Sequence, residues 1–287
     1  MPPPGLAIKT GRYVHFSFDR GRPAGIIICV SISLRERVTL AKEFEYRVLG
    51  HVKRAIVDYD MIKNGDRVAV GLSGGKDSTV LLHVLHRIRL SAPVKFDLHG
   101  IYVDPGWNME VNILRELCLS YGVPFYYKPT DIAAVVFDLR QEKNPCSLCA
   151  NLRRGALNST ARELGCNKVA LGHHLDDVVE TFFMSLFYTG QLRTFAPVTY
   201  LDRSGITMIR PLVYLTEGQV REMIMRRHLP VLENPCPVNK KTKREEIKQV
   251  VAGLSRQYPE LRFRLLNALQ TADLRNLWPG KARRPKG

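Results

Sequence analysis

The sequence predicts an α/β protein: a parallel sheet with helices on both faces, followed by a basic helical part. Two observations carry this. Short apolar runs rich in Val and Ile alternate with longer stretches whose apolar residues recur at helical spacing. Such alternation favours a parallel sheet covered on both sides. One joint between run and helix is "GLSGGKDSTVLLHVL", residues 71–85, where small and polar residues separate two apolar segments. A turn of that kind aims backbone N–H groups and the positive end of a helix dipole at one point, which suits an anion.

Residues 1–35, rich in Pro, Gly and Arg and without helical period, read as an N-terminal extension. A helix is expected from about Arg35 to Ile62, because Leu40, Phe44, Val48, Val52 and Ile56 recur every four residues. Gly65 in "KNGD" is its expected stop. "RVAVGL" (67–72) is the first strand, and a helix follows Ser78, with Val80, Leu81, Val84, Leu85 and Ile88 on one face. "FDLHGIYVD" (96–104) is the second strand, with a helix over 108–121, and "PFYYKP" (124–129) is the third. "PCSLCANLRRGAL" (145–157) opens another helix. "NKVALGHH" (167–174) is the fourth strand, leading to a helix over 176–188, and "GITMIRPL" (205–212) is the fifth. The sheet domain is thus expected over 36–215, a basic helical region over 216–275 and a basic tail over 276–287. Ligands of such sheets bind beyond the carboxyl ends of the strands. Both "SGGKDS" (73–78) and "GHHLDD" (172–177) fall at such ends.

Charge points to a partner. Lys plus Arg number 43 against 27 Asp plus Glu, a net charge of +16. The basic residues cluster in "LRRGALNSTAR" (152–162), "MRRH" (225–228), "NKKTKREEIK" (239–248), "LRFR" (261–264) and "GKARRPKG" (280–287). A solvated basic surface is the plain reading. A nucleic acid held through its phosphates is the sharper one. The longest early apolar run, "AGIIICVSISL" (24–34), falls short of the roughly 20 residues of a membrane helix and lacks a cleavage pattern. No membrane role is expected, and the expected location is the cytoplasm. The six cysteines, Cys29, Cys118, Cys146, Cys149, Cys166 and Cys236, are then expected as thiols or metal ligands rather than disulfides.

Three constellations carry chemistry. Ser73, Gly74, Gly75, Lys76, Asp77 and Ser78 offer two hydroxyls, an ammonium and several N–H groups to a phosphate or a pyrophosphate leaving group. Asp77 would repel that anion unless Mg²⁺ lay between them. The spacing matches neither the usual nucleotide-binding loop nor a dinucleotide fingerprint. A tight turn with a glycine pair is the alternative. Cys146 and Cys149 form a Cys-x-x-Cys at a helix start, which alone reads equally as a redox pair, half a zinc site or two unrelated thiols. With Cys236, set between two prolines, the count is three: too few to close a structural zinc site, but suited to an iron–sulfur cluster with one iron open. Cys118 and Cys166 read as buried structural thiols. In "GHHLDD", Asp176 and Asp177 read equally as helix caps or as site carboxylates. Arg210 reads equally as a surface charge or a site residue.

"SGGKDS" closely resembles the pyrophosphatase-loop motif of enzymes that cleave ATP to adenylate a substrate. The set of "SGGKDS", "CSLC" followed by "RRG", "GHHLDD" and a late Cys resembles the tRNA 2-thiolation enzymes of the 2-thiocytidine type, in the same order over residues 45–272. "IRPLVY" and "LGHHLDDVVETFFMSLFYTGQL" belong to the same likeness. The resemblance implies an adenine-nucleotide α-hydrolase-like fold and ATP held by residues 73–78, with Asp77 linked to Mg²⁺. It further implies nucleotide contacts at Gly172 and His173, adenosine near Asp104, and a metal or catalytic role for Asp176, with His174 and Asp177 supporting the loop. It implies a 4Fe–4S cluster on Cys146, Cys149 and Cys236, and sulfur transfer to C2 of a pyrimidine, cytidine 32 of the tRNA anticodon loop. The implied partners are tRNA and a sulfur donor such as a cysteine desulfurase, with room for a homodimer. The late position departs from the family pattern: only Cys236 stands where a second Cys-x-x-Cys is usual. Paired zinc-finger cysteines of the 2-thiouridine enzymes are absent from the sequence. A 2-thiouridine synthetase, a lysidine synthetase-like ligase and a non-catalytic RNA- or cluster-binding module are the competing readings.

Overall fold

The structure, a computed structural model, describes residues 34–107, 109–140, 145–233, 235–236 and 243–273. The expected tail 276–287 and all of the expected extension before residue 34 lie outside the described residues. The chain divides into two compact units, 1–47 and 48–287. The described part of the first is the N-terminal portion of helix α1 (Leu34–Asp58).

The second unit is built on a sheet of β1 (Arg67–Leu72), β2 (Asp97–Asp104), β3 (Phe125–Pro129), β4 (Lys168–Ala170), β5 (Val198–Leu201) and β6 (Ile206–Ile209). Their spatial order is β3-β2-β1-β4-β6-β5. β1 pairs in parallel with both β2 and β4, and β4 with β6. Val68, Ala69, Val70 and Leu72 of β1 are all buried, because helices cover both faces of this central strand. Chain order runs outward from β1 through β2 to β3, then returns to β4 on the other side of β1. That reversal opens a crevice beyond the carboxyl ends of β1 and β4, the usual place for a ligand in such sheets.

The helices are α2 (Lys76–Ser91), α3 (Asn112–Ser120), α4 (Pro145–Glu163), α5 (Leu175–Thr189), α6 (Glu217–Arg227), α7 (Lys243–Gln257) and α8 (Leu261–Gln270). A π-helical turn spans Ala134–Leu139. Leu157 and Ala161 of α4 pack on Ala69, Ile101, Val103 and Val169 of the sheet. Leu175 and Val179 of α5 pack on Ile247 and Val251 of α7, with Leu265 and Leu266 of α8 alongside. Each such buried side chain contributes about 1.5–3 kcal/mol, so the basic helices are joined to α5 by an apolar seam.

The structure revises several boundaries. α1 ends at Asp58 rather than near Ile62, because Asp60 turns left-handed (φ 48°) and the Met61 N–H donates to the Ile56 carbonyl at 2.9 Å. Gly65 (φ 80°) turns the following loop instead, donating to Lys95 O at 2.8 Å. α2 begins at Lys76, earlier than expected, with Gly75 as its cap. β4 is three residues long, not eight: beyond it the chain turns into α5. β5, absent from the sequence reading, pairs antiparallel with β6 and makes the sheet mixed.

Candidate functional site

The glycine-rich loop follows β1 directly. Ser78 at the start of α2 ties it down: its Oγ accepts from the Ser73 N–H at 3.1 Å and donates to the Gly75 carbonyl at 2.9 Å. Ser73 Oγ lies 3.1 Å from Ser78 Oγ and accepts from the Gly75 N–H at 3.3 Å. Gly74 takes φ 79°, where a side chain is strained, and a Cβ there would press on Leu232 at 3.0 Å. The Leu232 N–H donates to Gly74 O at 2.8 Å, so the segment leading to Cys236 is strapped onto this loop. Gly172, after β4, is held from the other side. A Cβ there would sit 2.8 Å from the Asp77 carbonyl carbon. The two motifs predicted at strand ends are therefore in direct backbone contact.

Between them lies a cavity of about 380 Å³. Ser73, Asp77, Ser78, Gly172, His173 and Asp177 line it, together with Arg153 and Arg154 of α4. Ile101, Val103, Leu157 and Leu171 give it an apolar wall. Asp77 Oδ1 is buried with no hydrogen-bond partner, 3.5 Å from His174 Nε2 but out of bonding geometry. A carboxylate oxygen left so is suited to a cation. His173 Nδ1 is likewise unpartnered. Burial holds His173 down at about 4, helped by Arg210, Arg244 and His174 and opposed by Asp177, so its imidazole is neutral at pH 7.

Asp176 and Asp177 differ in where they point: only Asp177 lines the cavity, and it also supports the loop as expected. Asp176 is buried away from the cavity lining; Oδ2 accepts from the Glu217 N–H at 2.6 Å and Oδ1 from Arg262. Asp177 faces the cavity, accepting from Arg244 Nη1 at 2.9 Å and from the His174 N–H at 3.0 Å. Asp104 is an anchor: its carboxylate accepts from the Gly106 N–H at 2.9 Å, the Trp107 N–H at 3.1 Å and the Tyr127 hydroxyl. It does not line the cavity, whereas its neighbour Val103 does. Arg210 is no surface charge. It is 6% exposed and donates to Ala196 O at 2.6 Å and Thr199 Oγ1 at 3.2 Å, with Phe195 under its guanidinium.

Lys76 turns toward two carboxylates, Asp77 Oδ2 at 3.1 Å and Glu217 Oε1 at 3.2 Å. Burial pushes Glu217 up, but Lys248, Arg221 and Lys76 outweigh it and hold the carboxyl at about 2. Glu217, Arg244 and Lys248 were not among the sequence-predicted site residues. They come from α6 and α7, and no local pattern links them to the loop. Arg153 and Arg154 were legible as charges, and their spacing from Cys149 on one helix was the available signal.

Cys146, Cys149 and Cys236 are unbridged thiols. Burial raises Cys149; Arg153 lowers it, and the nearby Cys236 and Cys146 raise it further. The three thus share one electrostatic neighbourhood, although among the described residues no three ligands are gathered as a ready-made metal cage. Three soft thiol donors fit an iron–sulfur cluster by their chemistry. Cys118 and Cys166 are buried in the core, and burial pushes Cys118 up to about 12.

Residues 41–254 match the PP-loop domain family. The chain is 40% identical over 228 residues to a tRNA-cytidine(32) 2-sulfurtransferase of Syntrophotalea carbinolica, covering 78% of this chain and 88% of that one. It is 38% identical over 237 residues to the enzyme of the same name from Pelobacter propionicus, covering 81% and 88%. Among solved structures, the U34-tRNA thiolase NcsA from Methanococcus maripaludis with its [4Fe-4S] cluster aligns with TM-score 0.63 at 24% identity, over 86% of this chain and 82% of that one, and shares the fold. The matched residues 41–254 contain both the glycine-rich loop and the Gly-His-His turn that meet at the sheet's switch point, and the chain belongs to the PP-loop domain family, among the tRNA-cytidine(32) 2-sulfurtransferases.

Proposed function

We propose that this chain is an ATP-dependent tRNA sulfurtransferase that replaces the C2 oxygen of cytidine 32 with sulfur. One observation carries the reading: the phosphate loop and the Cys-x-x-Cys helix both line a single cavity, to which Asp77 and Asp177 bring carboxylates and Arg153 and Arg154 bring guanidinium groups. Adenylation bonds the C2 oxygen to phosphorus and sulfur transfer then replaces that oxygen at C2, so both sets of groups have to reach one carbon–oxygen pair.

The loop N–H groups and the Ser73 and Ser78 hydroxyls cradle the ATP phosphates, and Lys76 neutralises the leaving pyrophosphate. Asp77 and Asp177 hold Mg²⁺; Asp176 fastens α5 to α6 and α8 instead. Gly172 admits the close approach of the nucleotide, neutral His173 contacts it, and the apolar wall receives a flat ring. Cytidine O2 forms a bond to the α-phosphorus as the bond to pyrophosphate breaks, which turns O2 into a good leaving group as AMP. A 4Fe–4S cluster on Cys146, Cys149 and Cys236 supplies the sulfur-delivering site when bound. Arg153 stands beside Cys149 and favours its thiolate. The region 36–215 binds ATP and the basic region 216–275 grips the tRNA, whose loop base can be splayed into the cavity without opening a duplex. A sulfur donor such as a cysteine desulfurase and a cytoplasmic location complete the reading, which leaves room for a homodimer; among the described residues no helix is long and apolar enough to cross a membrane.

The test is nucleoside mass spectrometry of tRNA treated with cluster-loaded protein, ATP, Mg²⁺ and sulfide. The expected product is 2-thiocytidine, dependent on ATP and on Cys236. Appearance of 2-thiouridine would overturn the target base. Absence of any thionucleoside, with tRNA bound, would overturn the sulfurtransferase reading in favour of a ligase or a binding module.

A further inference from the structure

A second cavity of about 480 Å³ lies between α4 and the β5–β6 hairpin. Asn158, Arg162, Tyr200, Asp202 and Arg203 are among its walls. Asn158 is only 8% exposed, yet its Oδ1 has no hydrogen-bond partner. A buried amide oxygen without a donor is uncommon in proteins and suits a ligand that brings one. Tyr200 is 61% exposed on the edge strand β5 and offers a ring face. Arg162 and Arg203 are exposed and form no ion pair among the described residues. With Asp202 the rim keeps an excess of positive charge.

The two cavities share a helix. Arg154 of the first, then Asn158 and Arg162 of the second, follow at intervals of four on one face of α4. Eight residues of helix span about 12 Å, so a polar stripe leads from the nucleotide cavity to the hairpin. We infer that the second cavity seats a neighbouring nucleotide of the single-stranded RNA loop whose target base enters the first. Its phosphate meets Arg162 and Arg203, its base stacks on Tyr200, and its ribose 2′-hydroxyl donates to Asn158. This rests on the tRNA reading above and adds a place where the strand is held. The edge strand that builds the seat is the one the sequence did not reveal.

The experiment measures binding of an RNA anticodon stem-loop to the full-length, cluster-loaded protein as salt is varied, with ATP binding measured alongside. The Arg162→Ala/Arg203→Ala double variant is expected to bind RNA at least about tenfold more weakly. Its salt slope should be shallower by about 0.7, the value for one phosphate of a single strand no longer neutralised, with ATP binding unchanged. Tyr200→Ala is expected to weaken binding, and Tyr200→Phe to restore it. A 2′-deoxy substitution beside the target is expected to weaken binding to the parent protein but not to Asn158→Ala. Normal affinity and slope in the double variant would overturn the seat while leaving the sulfurtransferase reading intact. Normal RNA binding combined with failure to accept sulfur from a cysteine desulfurase would also overturn it, in favour of a protein partner. No stem-loop binding by the parent protein would overturn both.

Discussion

Lys76 Nζ of the phosphate loop stands 3.2 Å from Glu217 Oε1 at the start of α6. The same carboxylate meets Arg221 at 2.7 Å and Lys248 of α7 at 2.8 Å. One acid thus gathers the loop lysine and the basic helices. Its folded pKa of about 2 lies below its ordinary value of 4.5, so its stabilisation is complete above about pH 4.5 and is lost as pH falls toward 2. Glu217→Gln is expected to lower stability by about 3 kcal/mol at pH 7 and to flatten the acid limb of Tm against pH.

Glu180 behaves in the opposite sense. It is buried on α5, and burial, aided by Asp177 and Asp176 against Arg244 and Lys248, lifts it to about 7. A raised carboxyl is favoured protonated in the fold, so stability present below about pH 4.5 is lost as pH rises through 7. Glu180→Gln is expected to gain most over the parent at pH 8 and least at pH 4.5. Thermal melts across that range check it.

Gly172→Ala would drive a Cβ to 2.8 Å from the backbone of Asp77, which has no flexible end to yield. The turn and the phosphate loop would have to part. An overpacking cost of about 1–3 kcal/mol and loss of ATP binding by calorimetry are expected. Gly155→Ala, whose Cβ meets nothing within 4 Å, serves as the control.

Arg153 lines the nucleotide cavity beside Cys149. Removing a charge-assisted contact to a phosphate costs about 1.5–3 kcal/mol, so Arg153→Ala is expected to weaken ATP binding roughly ten- to a hundredfold. Arg153→Lys should recover only part of it, since a point charge replaces a planar fork.

Cys146→Ser, Cys149→Ser and Cys236→Ser are each expected to abolish bound iron and acid-labile sulfide after anaerobic reconstitution. Cys166→Ser is expected to retain both, because Cys166 is buried among Ala69, Leu157 and Val169 in the core. Iron and sulfide assays on the purified variants distinguish the two groups.

Local chemistry made part of the site readable. The glycines of "SGGKDS" and "GHHLDD" announce turns at strand ends because few other residues tolerate such backbone approach, and β1, β2 and β3 stand out as short apolar runs. β5 did not stand out, since an edge strand half open to solvent needs no continuous apolar run. The choice between Asp176 and Asp177 was equally hidden. Adjacent carboxylates at a helix start look alike until the helix axis aims one at Glu217 and Arg262 and the other at the cavity.

By itself, the sequence determined the α/β class, the glycine-rich loop at a strand end and the Cys-x-x-Cys with a third, late cysteine, since these depend on residue type and on spacing along the chain. Only the tertiary structure decided which groups share a cavity. The order β2-β1-β4 opens the crevice, α4 swings Arg153 and Arg154 over it, and Glu217 is carried to Lys76 from 141 residues away in sequence. Contacts of that range are set by how packed layers bury their apolar faces, which no local pattern records.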